Sequence, residues 1–471
     1  MHFEQFYLGC LAHASYLLAS EGEAVVVDPQ RDVEIYLKAA EENRVAIRHI
    51  FETHLHADFV SGHRELAART GARIYIGAQA EATFPHIAVQ DGFHLQVGKM
   101  RITALETPGH TPESICLVIA DEVADEEKSP APWAVLTGDT LFLGDVGRPD
   151  LSRRFNAAQL AGMLYDSLHG KLLALSDDVL VYPAHGAGSL CGRNMRAERV
   201  STIGTERLTN YALQIKSREE FVKQLTSNLP TRPEYFLQDA EINRTGAAAL
   251  SDLPVLPAIE PAELKTVLEE GGIALDVRSG EQFAVGHVPS SVNIALSGQF
   301  ASWAGALLGL AARPVLIAES QEAVSEARMR LARIGLEDAR GYLNGGIEAW
   351  SQAGLPLAEL PQISVGLLSE ALSDRLQGNG IQVLDVRREP EWEAGHIAGA
   401  CWWPLDNFRV APPEIDRNIP IAVHCKGGYR SMIACSLLER AGFQNVINVV
   451  GGFDAWQQAK LLVVREKPVE A

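Results

Sequence analysis

Short apolar, β-branched runs recur through the first half of the chain, at Ala24–Asp28, Arg73–Gly77, Trp133–Gly138 and Val179–Tyr182. Runs of this length, bounded by polar, Gly or Pro residues, predict strands. Apolar positions spaced three and four apart predict amphipathic helices at His63–Thr70 and Asn156–Leu168. The acidic, Pro-containing stretch 121–132 reads as a solvated hairpin loop. Together these elements make one block, residues 1–245.

Beyond it the chain repeats itself. Asp276-Val277-Arg278, Gly286-His287, Gly345-Gly346 and Trp350 recur as Asp385-Val386-Arg387, Gly395-His396, Gly451-Gly452 and Trp456. The step from Asp to His and the step from Gly to Trp are the same in both copies. In the first copy, strand-like Ile273–Asp276 and Pro314–Ala318 alternate with helix-like Ser325–Ile334. That alternation predicts a parallel sheet covered by helices. Two tandem domains follow, 254–358 and 362–471, with Pro-flanked linkers at Pro254–Pro257 and Leu355–Pro361.

Composition adds little to the fold but removes several functions. A chain of 471 residues, 47% hydrophobic and 21% charged, suits a multidomain α/β protein of roughly 150 residues per domain. A formal net charge of −19 disfavours nucleic acid and anionic membrane as partners, since both need a basic surface. No apolar run approaches the roughly 18 residues of a membrane span, and the start lacks the features of a signal peptide. The six cysteines, at 10, 116, 191, 401, 425 and 435, form no CxxC pair, so a reducing compartment, the cytoplasm, is expected.

The first block carries a set of metal-ligand residues. Thr53-His54-Leu55-His56-Ala57-Asp58 follows the apolar Ile50-Phe51, and His110, Asp139 and His185 each follow an apolar run in a Gly- or Pro-containing context. A single histidine of this kind is usually a surface or capped core residue. Several at strand ends, however, can converge on one cation, because the sheet holds those ends rigid. The pattern resembles the metallo-β-lactamase superfamily, which implies an αββα sandwich with a metal at one edge. One position departs from it: the superfamily's HxHxDH motif ends here in Phe59. An apolar ring there removes a ligand from the second metal position, so a mononuclear site is expected. Two imidazoles and one carboxylate with open positions suit non-haem Fe(II) and O2.

In this respect the block is similar to the superfamily's persulfide dioxygenases. The resemblance implies His54, His110 and Asp139 as ligands of one Fe(II) per chain. His56, Asp58 and His185 would hydrogen-bond to ligands or to iron-bound water, or serve as alternative metal ligands. Gly144–Leu151 resembles the family's substrate loop, in which Arg148 pairs either a carboxylate or phosphate of the thiol carrier or the neighbouring Asp150. Cys191 is either a small buried thiol or a sulfur acceptor beside the metal. Zinc is the alternative cation, and would make the block a glyoxalase II-type thioester hydrolase. A sensor that binds sulfur without turnover is a third reading.

The last block holds Val423-His424-Cys425-Lys426-Gly427-Gly428-Tyr429-Arg430-Ser431 between a strand pattern and a helix pattern. Backbone N–H groups and a helix N-terminus aimed at Cys425 favour an anionic sulfur. Gly427 and Gly428 permit the tight loop, and Lys426 and Arg430 add positive charge. CxxxxR alone also suits a phosphatase loop, but with the repeat motifs around it the segment resembles rhodanese sulfurtransferases. That makes Cys425 the nucleophile with Arg430 beside it, and Lys426, Gly427, Gly428 and Tyr429 the substrate loop. In the first copy Glu319 falls opposite Cys425, with Gln321, Glu322 and Val324 in place of both glycines and Arg430. That copy is expected to be inactive. The whole chain resembles fusions of a persulfide dioxygenase with one degenerate and one active rhodanese domain. The expected chemistry is sulfide detoxification. A persulfide of glutathione, coenzyme A or a similar thiol is oxidised by O2 to sulfite, and sulfur is exchanged with sulfite or thiosulfate at Cys425. The resemblance also implies a homo-oligomer.

Overall fold

The computed structural model describes residues 1–121, 131–227, 229, 231–373 and 380–465. The chain divides into two compact units, 1–253 with 332–335, and 254–331 with 336–471.

The first unit contains two six-stranded sheets. One runs His2–Leu8, His13–Ser20, Glu23–Val27, Ala46–Glu52, Arg73–Gly77, Ile87–Val89 in spatial order. The other runs Ser201–Thr202, Leu180–Pro183, Pro132–Gly138, Ile115–Asp121, Met100–Glu106, His94–Val97. Their central strands read as continuous apolar runs because both faces are buried. Alternation then sorts the side chains. Leu18, Val25 and Val27 face Met100, Ile102, Leu117 and Leu136 between the sheets. Leu17, Val26 and Ile50 turn outward onto Tyr36, Ala39 and Leu66 of the helices Glu34–Glu42 and His63–Thr70. On the far side Cys116, Val135 and Val181 pack under Leu164 and Leu168 of Ala157–Gly170. The result is the expected αββα sandwich.

Predicted and observed elements agree to within a residue or two in this unit. Asn156 is the N-cap of its helix rather than a member, accepting from Gln159 N in a capping box. The strands on either side of the acidic stretch pair antiparallel, Pro132 opposite Ala120, as a hairpin requires. The middle of that stretch, 122–130, lies outside the described residues.

The second unit holds two five-stranded, all-parallel sheets of matching topology. The first is ordered Ala258–Ile259, Gly341–Leu343, Val315–Ile317, Ala274–Asp276, Val292–Asn293, and the second Gln362–Ile363, Val446–Val449, Ile421–His424, Gln382–Asp385, Cys401–Trp402. The repeated motifs are scaffold. Arg278 forks onto Asp276 and reaches Gly286 O at 2.9 Å, and Arg387 forks onto Asp385 and reaches Gly395 O at 2.8 Å. Trp350 and Trp456 each donate to a carbonyl six residues on, Pro356 O and Leu462 O. The helix expected from Ser325 instead spans Gln321–Ala332. It starts earlier because Ser320 Oγ accepts from Ala323 N and so begins the helical turn.

Candidate metal centre and sulfur-transfer loop

Each candidate ligand of the first unit lies just beyond the C-terminal end of a strand. His54, His56 and Asp58 follow Ala46–Glu52, His110 follows Met100–Glu106, Asp139 follows Pro132–Gly138, and His185 follows Leu180–Pro183. All six are buried. His110 Nε2 lies 3.3 Å and His54 Nε2 3.9 Å from the same oxygen, Asp139 Oδ2. One donor atom from each of the three falls within 4.8 Å of the others.

The backbone and its neighbours fix which nitrogen faces inward. His110 Nδ1 lies 2.9 Å from Arg148 O, a pure acceptor, so Nδ1 carries the proton and Nε2 presents its lone pair. Thr53 Oγ1 donates to Asp28 Oδ2 at 2.9 Å and lies 3.0 Å from His54 Nδ1. Its proton is therefore committed to Asp28, and His54 Nδ1–H donates to it. His54 Nε2, like His110 Nε2, then points a lone pair toward Asp139. Burial and the surrounding imidazoles His56 and His110 hold His54 well below the usual histidine range, and burial lowers His110 as well. Neutral imidazoles are the form that binds a cation.

His54 Nε2, His110 Nε2 and both Asp139 oxygens are buried with no hydrogen-bond partner, as are Asp58 Oδ1 and both nitrogens of His185. A native interior rarely tolerates so many orphaned polar atoms in one place. A cation held by His54 Nε2, His110 Nε2 and Asp139 would satisfy that trio, and the donor set fits one.

The remaining residues of the constellation surround that trio. His185 Nε2 lies 3.4 Å from Asp58 Oδ2 and 3.7 Å from Asp139 Oδ1. Although burial works against it, the Asp139 and Asp58 carboxylates raise His185 to about 9. His56 also comes within 4.8 Å of Asp58 and His185. Its Nε2, however, lies 3.2 Å from Asp28 Oδ1 and 3.7 Å from Glu52 Oε2, facing carboxylates behind the site. Phe59 is fully buried, its ring 4.4 Å from that of His56 and 4.1 Å from that of His13.

Cys191 is buried and joins Asp139 and His185 in a third overlapping donor group. Burial, reinforced by Asp58 and Asp139, pushes its thiol well above the ordinary range. Arg148 forks onto Asp150 at 2.6 and 2.8 Å, and its own N–H donates to Cys191 O at 3.1 Å. Of its two expected roles, the geometry supports the one that holds the loop. Gly147 is required by contact: a Cβ there would lie 2.1 Å from Asp139 O and 2.8 Å from His110 Nδ1.

Several residues that sequence reasoning missed complete the site. Asn243, on the helix Phe236–Thr245, donates to His56 O and Phe59 O at 2.7 Å each and accepts from Ser61 N at 2.8 Å. It clamps the metal loop from a distant part of the chain. Glu113 Oε1 accepts from Leu55 N at 3.0 Å, and Asp28 and Glu52 back the histidines. Asp28, ending an apolar strand run and followed by Pro29, carried a usable signal; Asn243 carried none.

In the second unit Cys425 follows Ile421–His424 and is buried at the N-terminus of the helix Tyr429–Arg440. Gly428 N donates to Cys425 Sγ at 3.1 Å, with Gly428 at φ 113°. Ser431 Oγ lies 3.7 Å from the sulfur and bonds to Asn448 Oδ1 at 2.8 Å, two further partners not foreseen. A Cβ on Gly452 would come within 2.5 Å of Cys425 O, so the second Gly-Gly pair underlies the loop. Nothing lies within 4 Å of a Cβ built at Gly427 or Gly428, which leaves that side open, and Lys426 is exposed. Arg430 departs from expectation. Its guanidinium is held by Glu391 through two 2.6 Å bonds, so its charge is matched within the protein. Tyr429 likewise donates its hydroxyl to Ala295 O at 2.8 Å. In the first copy the helix opens at Gln321, directly after Glu319-Ser320, so no cradle forms.

Comparison with known proteins gives the same two halves. Residues 8–185 match the metallo-beta-lactamase superfamily, and 260–353 and 368–459 each match the rhodanese-like domain. Persulfide dioxygenase ETHE1, mitochondrial, of Bos taurus is 32% identical over 229 residues, 46% of this chain and 77% of that protein; the Homo sapiens protein is 31% identical over the same span. A hydroxyacylglutathione hydrolase of Francisella tularensis subsp. novicida is 29% identical over 187 residues, 39% of this chain and 68% of that protein. Among solved structures, a metallo-beta-lactamase from Staphylococcus aureus subsp. aureus COL superposes with a TM-score of 0.64 at 33% identity, covering 72% of this chain and 98% of that one. Among the described residues no helix is long and apolar enough to cross a membrane. By these relatives and the paired rhodanese-like modules, the chain belongs to the metallo-β-lactamase-fold persulfide dioxygenases fused to tandem rhodanese domains.

Proposed function

We propose that this protein is a non-haem Fe(II) persulfide dioxygenase and sulfurtransferase, with modules at 1–245, 254–358 and 362–471. The observation that carries the oxygenase half is the convergence of two neutral imidazole Nε2 atoms on one Asp139 oxygen, with each of these atoms buried and without a hydrogen-bond partner. His54, His110 and Asp139 would hold the ion. When bound, ferrous iron supplies electrons to O2 and a Lewis-acid position for a sulfur ligand. The net reaction is RSSH + O2 + H2O → RSH + SO3²⁻ + 2 H⁺.

The protein's own residues orient and exclude. Thr53 and Arg148 O fix the two imidazoles through Nδ1, and Asp58 and His185 lie 3.4 Å apart as a charge pair beside Asp139. Phe59 walls the second metal position with an apolar ring and keeps water from it. Cys191 and the Arg148–Asp150 loop border the site where a small thiol persulfide, of glutathione or coenzyme A, would bind.

At the second site the Cys425 thiolate attacks the outer sulfur of thiosulfate. The S–S bond to the sulfonate breaks, sulfite leaves with the bonding pair, and Cys425 becomes a persulfide held by Gly428 N–H and the open glycine loop. The reverse step takes sulfite to thiosulfate.

The second reading is a zinc thioester hydrolase fused to a sulfurtransferase. It is favoured by the His56–Asp58–His185 group, which offers three donors to a second ion, and by the hydrolase relative. An oxygen electrode with the iron-loaded protein and a panel of thiol persulfides decides between them. Persulfide-dependent O2 uptake supports the dioxygenase, whereas two zinc ions per chain with thioesterase activity and no uptake refutes it.

A further inference from the structure

The helix that cradles Cys425 is gripped along one face by the repeat that has lost its own cradle. Tyr429 Oη donates to Ala295 O at 2.8 Å, Ser436 Oγ accepts from Asn293 N at 3.0 Å, Glu439 lies 3.2 Å from His287 Nε2, and Arg440 donates to Ser290 O, Gly271 O and Gly272 O at 3.0, 3.1 and 3.1 Å. Positions 429, 436 and 440 follow the seven- and four-residue steps of a single helix face. The first of these contacts falls on the residue next to Gly428, whose N–H points at the Cys425 sulfur.

Tyr429 is fitted closely to that neighbour. A Cβ on Gly298 would lie 2.4 Å from its ring, so only glycine admits the ring at this distance. The loop that carries Ala295 and Gly298 is itself fixed: Arg330 donates to Gly298 O at 2.9 Å and also to Leu296 O. Burial pushes the Tyr429 phenol above its ordinary range, so the hydroxyl remains a donor at any working pH. Since that hydroxyl is occupied by Ala295, it is not the group that meets substrate.

We propose that the degenerate repeat is a positioning element for sulfur transfer, which acts through Tyr429 to hold the Gly428 N–H on the Cys425 sulfur. This rests on the reading of Cys425 as the nucleophile. The repeat need not carry a nucleophile for this task; it needs a fixed carbonyl at 295 and no side chain at 298. Tyr429 is accordingly a positioning residue and not a catalytic one.

The test uses the full chain and two variants from opposite sides of the contact, Tyr429→Phe and Gly298→Ala. Thiosulfate-to-thiol sulfur exchange is measured together with iodoacetamide alkylation of Cys425, read by peptide mass spectrometry across a pH series. In both variants the alkylation profile moves to higher pH, and kcat falls about fivefold, the size of one net hydrogen bond, with little change in the KM for thiosulfate. Three results overturn the proposal: unchanged profiles in both variants, a rise in KM alone, or a loss of rate that merely follows the unfolded fraction measured by circular dichroism. The underlying reading fails separately if Cys425→Ser retains exchange, whatever the two variants do.

Discussion

The ring of Phe59 packs 4.4 Å from that of His56, tilted by 38°, at the position where related metal centres place a further histidine. That same His56 belongs, with Asp58 and His185, to a second group of three potential donors. On the proposed reading, the nuclearity of the centre turns on this contact.

Phe59→His restores the missing donor. The variant is expected to bind about two divalent ions per chain instead of about one, read by elemental analysis after purification. Persulfide-dependent O2 uptake falls at least ~10-fold, since a second ion occupies space that a sulfur ligand and O2 need. A variant with one ion and full uptake would show that Phe59 plays no part in selecting the centre.

On the proposed function, the two sites divide the chemistry. Asp139→Ala removes the carboxylate shared by both imidazoles and abolishes O2 uptake, while thiosulfate-to-thiol exchange persists. Cys425→Ser abolishes exchange, while O2 uptake persists. An oxygen electrode and a sulfur-exchange assay on folded protein measure both, and loss of both activities from either change would contradict the two-site account.

Much of this was legible in the sequence because its signals are local. The apolar run at Arg73–Gly77 and the helical spacing at His63–Thr70 coincide with their elements, and the HxHxD segment, His110, Asp139 and His185 meet as their strand-end positions imply. The internal repeat was visible because Asp276–Arg278 and Asp385–Arg387 make identical short-range forks. What escaped depends on distance along the chain. Asn243 reaches His56 and Phe59 across more than 180 residues, and nothing in its neighbours marks it. Arg430 stands where the sequence pattern places a substrate cation, but its partner Glu391 lies on a different helix, Glu389–Glu393. Pairing of that kind is set by the tertiary fold and not by spacing.

Gly147→Ala tests the tight approach between the substrate loop and the metal ligands. The added methyl would meet Asp139 O, a backbone atom with little room to move, and crowd His110 Nδ1. The loop must shift, and the Arg148 O bond that fixes the His110 ring goes with it. Metal affinity is expected to drop 10- to 100-fold, the usual size of a lost orienting contact behind a ligand. Competition with a chromogenic chelator measures this, and unchanged affinity would mean that the His110–Arg148 bond is dispensable.

The Arg430–Glu391 pair predicts an acid-sensitive stability in the second unit. Burial alone would raise the Glu391 carboxyl, but the Arg430 guanidinium outweighs it and holds the group below its ordinary value of 4.5. A carboxylate depressed in the folded state stabilises fully above the unfolded value, and that contribution is lost as pH falls through the folded one. The wild type therefore loses stability on acidification below about pH 4.5, and Glu391→Gln loses less over the same interval. At neutral pH, Glu391→Gln and Arg430→Ala each cost about 1–3 kcal/mol, because each strands a charge-bonded partner. Their double variant costs clearly less than the sum, as residues in direct contact do not act independently. Urea unfolding of the four proteins at neutral and acidic pH measures all three effects. If the costs proved additive, Arg430 would be free of Glu391 in solution and available to the sulfur loop after all.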